Sequence, residues 1–204
     1  ITVDHVEHNL EIITCPAIVM LDQHELLSKE KARSRLGLSK EAFVVYIQLG
    51  AGEINHIQSE IRLTVASLLK NPDVHIVLGE SLIGNRIDLE MPRVQILRDY
   101  PNSMYFRGFD ATVQAGGYNS FHETRNFGLP ALFYPNMDTG MDDQLARCKV
   151  AEKEGWGIVL ESRTPTTIDR SCVELFGMVP RLPLLKYENG ADILAVQLSG
   201  ELLT

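Results

Sequence analysis

The residues best suited to chemistry lie between Ala115 and Arg147, in the stretch AGGYNSFHETRNFGLPALFYPNMDTGMDDQLAR. Gly116 and Gly117 follow a short, mostly apolar run, Ala111-Thr112-Val113. Two adjacent glycines after a strand let the backbone turn tightly and come close to a ligand. Asn119 and Ser120 are expected to open a helix there. Free N–H groups at a helix start, with the positive end of its dipole, form a natural phosphate site. Glu123, one helical turn on, offers a carboxylate to sugar hydroxyls. A second helix start is expected at Asp142-Asp143-Gln144, after a strand Ala131–Tyr134 and a loop holding Gly140. Two polar loops at the ends of neighbouring strands suggest a cleft at the carboxyl edge of a parallel sheet, fit for phosphates and hydroxyls.

Each of these residues also has a purely structural reading. Ser120-x-x-Glu123 matches a capping box, in which both side chains serve the helix end and no ligand is needed. Asp142 reads equally as an N-cap and Asp143 as a favourable first-turn charge. His122 is a candidate general base or an ordinary packing histidine. Arg98 and Asp99, at another strand end, suit either a base or sugar contact or an exposed ion pair. Asp4, His5 and His8 have a loose metal-ligand look but no second cluster to complete a site, so no metal is expected. Asp142 and Asp143 are adjacent on a helix and do not face each other, which argues against an acid/base dyad. The sequence contains no GxSxG elbow, no GxxxxGK[ST] phosphate loop and no HExxH. No catalytic residue is therefore assigned within the chain.

The elements that must position these loops alternate strand and helix. Phe43–Ile47 is a continuous apolar run, as expected of a strand buried on both faces, and leads into Gln48-Leu49-Gly50-Ala51-Gly52-Glu53. Ile57, Ile61, Val65 and Leu68 then form one helical stripe, with Asn55 as its cap and Asn71-Pro72 as its stop. Gly50 and Gly52 lack the third glycine of a dinucleotide fingerprint, so ligand contact and plain turn geometry both remain open for them. Further strands are expected at Val74–Leu78, Arg93–Leu97, Asp110–Gln114, Ala131–Tyr134 and Gly157–Leu160. Helices are expected at Ser28–Leu36, Asn102–Phe106, Asp142–Glu154, Thr164–Phe176 and Ala191–Leu203, the last with Leu194, Leu198 and Leu202 on one face. Leu10–Ile13 and Ala17–Leu21 read as short strands broken at Pro16. Trp156 reads as core. The pattern predicts an α/β fold: a Rossmann-like parallel sheet of about six strands with helices on both faces.

The 204 residues are 45% apolar and 23% charged, ordinary for a globular protein. A net charge of −8 argues against a nucleic-acid partner. Cys15, Cys148 and Cys172 form no CxxC pair, which fits a reducing, cytoplasmic setting. No apolar run approaches the roughly 18 residues of a membrane span. The chain opens on Ile1 rather than Met, which reads as a piece of a longer protein.

QLGAGEIN, RVQILRDYPNSMYF, ATVQAGGYNSFHETRNFGLPALFYPN and MDDQLARCKVAEKEGWGIVL, in that order and each at a strand end, resemble the C-terminal donor-binding domain of GT-B glycosyltransferases. The likeness is to the group typified by MurG and its antibiotic-glycosylating relatives, and covers roughly residues 43–160. It implies one half of a GT-B fold, with 1–40 as a lead-in from an absent N-terminal domain and 41–204 as the donor domain. Gly50, Ala51 and Gly52 would approach the donor diphosphate, with Gly116, Gly117, Asn119 and Ser120. Arg98 would run beside the nucleobase, Glu123 would bind the ribose, and Asp142, Asp143 and Gln144 would face the transferred sugar. The donor would be a UDP- or dTDP-type sugar acting as substrate, with no cofactor. The acceptor, a hydroxyl, and the catalytic base would come with the other domain. LGAGE departs from the fuller GGSxGA loop and GMDDQ from DRQQ, which leaves the first loop's role and the sugar open. A nucleotide-sugar 2-epimerase of the same fold and a non-catalytic nucleotide-binding module remain alternatives.

Overall fold

The computed structural model describes residues 14–50, 57–80, 89–137, 142–178 and 188–201. Six strands, β1 (Phe43–Gln48), β2 (Val74–Gly79), β3 (Val94–Leu97), β4 (Ala111–Gln114), β5 (Ala131–Phe133) and β6 (Gly157–Val159), form one sheet in the order β3-β2-β1-β4-β5-β6. Every pairing is parallel. The helices are α1 (Lys29–Arg35), α2 (Ile57–Leu68), α3 (Tyr118–Asn126), α4 (Gln144–Lys153), α5 (Pro165–Gly177) and α6 (Gly190–Glu201), with a 3-10 helix at Asn102–Gly108.

β1 shows why both sheet faces are covered. Val45 and Ile47 pack with Ile61, Val65 and Leu68 of α2 and with Ile168, Cys172 and Leu175 of α5. Val44 and Tyr46 point the other way, onto Ala32 of α1 and onto Tyr105 and Phe106 of the 3-10 helix. On that same face Phe121 of α3 and Cys148 and Ala151 of α4 meet Phe133 and Trp156. Each large apolar side chain so buried contributes roughly 1.5–3 kcal/mol, so the sheet holds from both sides.

Two arginines do structural work that periodicity does not signal. Arg33, 3% exposed, donates to the carbonyls of Gly108, Ser39 and Lys40 and pairs with Asp110 at 2.5 Å. Asp110 also accepts from the Val44 amide at 2.9 Å, which ties α1 to the amino ends of β1 and β4. Arg93 donates to the carbonyls of Leu69, Asn71, Pro72 and Val74, gathering the end of α2.

Most expected elements recur within a residue or two. Ser28 caps α1 and Gly37 follows it at φ +65°. Thr164 caps α5, and Trp156 is buried. Ala17–Leu21 is not a strand. Its backbone instead meets α6, through Gly190 N–H to the Ala17 carbonyl and Asn189 Nδ2 to the Val19 carbonyl. The expected apolar face of the last helix is not a core face: Leu198 is 50% exposed. Leu10–Ile13, Asn55 and Leu202 lie outside the described residues, as do Asp4, His5 and His8.

Candidate functional site

The strand order reverses between β1 and β4, and in an open α/β sheet ligands bind beyond the carboxyl ends of the strands at that point. Gln48 and Gln114 end the two strands in matching register. The chain leaves β1 through Leu49 and Gly50 and leaves β4 through Ala115, Gly116 and Gly117. Gly50 has φ +92°, and a Cβ on it would lie 3.9 Å from that of Ala115, so the two loops run side by side. Ala51 and Gly52 lie outside the described residues.

The two glycines after β4 differ in kind. Gly116 has φ +85°, and a Cβ there would overlap Cys148 Sγ of α4. Gly117 has ordinary φ −59°, nothing near its Cβ position, and serves as N-cap of α3 without a side-chain hydrogen bond. The expected start at Asn119 and Ser120 is therefore corrected: α3 opens at Tyr118, and Ser120 is its third residue rather than its cap. The capping-box reading of Ser120 and Glu123 falls with it. A glycine cap replaces a serine because the chain must turn straight from the strand into the helix. The first N–H groups of α3 lie at this end of the sheet, and the glycine cap offers them no side-chain acceptor. Asn119 is exposed there and Ser120 half-buried.

Glu123 lies one turn inside α3, half-buried, with the Ser103 hydroxyl donating to its carboxylate. Burial pushes its pKa up to about 7, against the lowering effect of Ser103. Beside it is a buried polar row. Asn102 Nδ2 donates to the Tyr46 hydroxyl at 3.0 Å, and that hydroxyl donates to Gln48 Oε1 at 2.8 Å. Gly79 leaves the room, since a Cβ there would overlap the Tyr46 hydroxyl. Across β4, Gln114 Nε2 donates to Thr112 Oγ1 at 2.9 Å. Burial keeps Tyr46 protonated by raising its pKa well above the phenol's usual value.

The second loop presents its residues differently from expectation. Asp143, not Asp142, is the N-cap of α4, accepting from the Ala146 amide at 2.9 Å. Asp142 is ion-paired with Arg147, whose guanidinium holds the carboxyl below its usual range. Gln144 accepts from the Asn136 amide at 3.0 Å and donates to Asp142 at 3.3 Å. His122 sits against the Tyr118 and Phe121 rings, and burial, with Arg147 nearby, lowers its pKa. Arg98 lies after β3, is 54% exposed and pairs with Glu80 at 2.7 Å. Its sequence neighbour Asp99 pairs instead with Arg35 at 3.2 Å.

Sequence reasoning passed over Ser103, Asn102, Tyr46, Gln48 and Arg147. A trace existed for some of them. Tyr46-x-Gln48 and Thr112-x-Gln114 place polar atoms on one face of otherwise apolar strands. Ser103 carries no such signal, because its role depends on how the chain returns from β3. Among the described residues no group of three or more His, Cys, Asp or Glu side chains could hold a metal ion.

The sheet order, the switch-point crevice and the glycine turn into α3 define a Rossmann-like domain that matches one half of a GT-B fold. No protein-family model matches the chain. An uncharacterized glycosyltransferase of Methanosarcina mazei is 34% identical over 113 residues, 54% of this chain and 29% of that protein. The UDP-N-acetylglucosamine–N-acetylmuramyl-(pentapeptide) pyrophosphoryl-undecaprenol N-acetylglucosamine transferase of Clostridioides difficile is 25% identical over 74% of this chain and 40% of its own length. Among solved structures, the spinosyn rhamnosyltransferase SpnG superposes with TM-score 0.57 at 20% identity, over 79% of this chain and 41% of that one. MurG of Acinetobacter baumannii gives 0.55 at 13% identity, over 74% and 45%. The chain thus resembles glycosyltransferases in sequence and GT-B glycosyltransferases in fold, as its motifs imply. It spans about three tenths to two fifths of the length of these curated relatives.

Proposed function

We propose that this chain is the donor-binding domain of a glycosyltransferase that moves a sugar from a nucleoside diphosphate to a hydroxyl acceptor. The observation that carries the reading is the glycine-capped N-terminus of α3 at the β1–β4 switch point, with Glu123 one turn behind it. The α3 amides and the Gly50–Gly52 loop suit a diphosphate, whose charge the helix dipole favours. Glu123 suits vicinal ribose hydroxyls. The segment from Arg98 to Ser103, which returns from β3 towards Glu123, flanks the nucleobase. Asp142, Asp143 and Gln144 face the sugar. A solved relative in fold is held in complex with thymidine diphosphate, which fits a dTDP- or UDP-type donor here.

The donor domain takes in residues 41–204 together with α1, which Arg33 and Asp110 tie to β1 and β4, and an acceptor domain supplies the base. Transfer proceeds with inversion. The α3 dipole and backbone amides stabilise the departing diphosphate without a metal. The three free cysteines suit a cytoplasmic setting. No helix among the described residues is long and apolar enough to cross a membrane.

Calorimetric titration with UDP, UDP-GlcNAc, dTDP-glucose and NAD tests the reading. Binding of a nucleoside diphosphate and its sugar, but not NAD, is expected. Equal binding of NAD, or no nucleotide binding by the folded chain, would overturn it.

A further inference from the structure

Arg147 touches both halves of the crevice. Its Nη1 donates to the Gly116 carbonyl at 3.0 Å, in the β4–α3 turn. Its Nη2 pairs with Asp142, which leads into α4. Its guanidinium also lies over the Tyr118 ring, 5.8 Å from the centroid, on the first residue of α3. The next residue, Cys148, fills the space where Gly116 lacks a Cβ. Two consecutive residues of α4 therefore grip one glycine, by its carbonyl and by its Cα.

We infer that Arg147 is a positioning residue of the crevice: its guanidinium clamps the β4–α3 turn to the N-terminal turn of α4. Four features support this. The side chain is 21% exposed, too covered to sweep through solvent. A guanidinium presents several donors in a fixed plane and can hold a carbonyl and a carboxylate together, where an ammonium offers a point charge. The carbonyl it holds belongs to the residue just before the α3 cap, so any movement of that peptide redirects the first amides of α3. Asp142, gripped on its other oxygen by Gln144, links the clamp to the Asn136 amide after β5. A partly exposed ion pair adds little to global stability, so the effect of Arg147 is on loop position.

The consequence for ligand binding rests on the donor-binding reading; the clamp itself does not. The test compares Arg147→Ala and Arg147→Lys with the unmodified chain by amide hydrogen exchange and by UDP and dTDP titration. Both variants are expected to melt within a few degrees of the parent. Both should exchange about tenfold faster at Tyr118–Ser120 and at Asp142–Gln144 together, with β4 and the middle of α4 unchanged. Nucleoside diphosphate affinity should fall about tenfold in both. Unchanged exchange in Arg147→Ala overturns the clamp. So does an Arg147→Lys variant that behaves as the parent, since charge alone would then suffice. Faster exchange in both variants, with a parent chain that binds neither nucleotide, would support the clamp and sink the donor-binding reading instead.

Discussion

Gly116 and Cys148 occupy each other's space: the thiol of α4 sits where a side chain on the glycine would be. The same glycine has φ +85°. Gly116→Ala therefore combines left-handed backbone strain of about 1–2 kcal/mol with overpacking that costs roughly 1–3 kcal/mol. Urea unfolding should show a loss within that combined range. Gly117→Ala is expected to lose no more than about 1 kcal/mol, because its φ is ordinary and its surroundings open. A Gly117→Ala variant that unfolds like Gly116→Ala would contradict this division of labour.

Glu123 makes a prediction with a defined pH sign. Its carboxyl ionises at about 7 in the fold against 4.5 when unperturbed. The folded form therefore holds the extra proton between those values, and stability from this group falls as pH rises through the window. Glu123→Gln should gain melting temperature relative to the parent from pH 4.5 to 7 and hold that advantage above. Nucleotide affinity of the parent should rise across the same window as the carboxylate forms, while Glu123→Gln stays weak and flat. A flat parent profile would remove Glu123 from the ligand. Ser103→Ala should move the rise to higher pH, since the hydroxyl favours the charged form.

Asp110 offers a test remote from the crevice. Arg33 is buried and Asp110 is its carboxylate partner, with Lys29 joining at 3.0 Å. Removing one side of a buried pair strands the other charge and typically costs about 3–5 kcal/mol. Asp110→Ala should lose close to that amount in chemical denaturation. A loss under about 1 kcal/mol would mean that Arg33 finds water or another partner.

Gln144 tests the proposed sugar site. Its amide is anchored by the Asn136 N–H and by Asp142. Gln144→Ala should weaken a nucleotide sugar by about 1 kcal/mol, the value of one typical hydrogen bond, and the bare nucleoside diphosphate by less. Equal losses for both would place the residue outside the sugar site.

How much of this was legible beforehand follows from which interactions are local. The strands, the α2 stripe and the Ser28 cap depend on near neighbours and could be read directly. So could Gly116-Gly117 as a turn before a helix. The start of α3 was misplaced because Ser120 and Glu123 imitate a capping box, and only tertiary packing puts the cap at Gly117. The shift of the α4 cap from Asp142 to Asp143 follows from Arg147, one helical turn away, which takes the first carboxylate. The strand-end position of Arg98 was legible, but its pairing with Glu80 was not, and β2 and β1 lie between its strand β3 and β4. Ser103 was invisible because its value lies wholly in meeting a residue on another element.

Trp156 is the chain's single tryptophan. Its ring lies 5.1 Å from that of Phe121 on α3, and its Nε1 donates to Glu154 at 2.8 Å. Phe121 stands between Ser120 and His122 in sequence, so the indole rests against the back of the helix whose front end meets the crevice. The protein thus carries its own optical probe. A change in tryptophan emission on adding ligand would report, without any label, altered packing where α3, α4 and β5 meet.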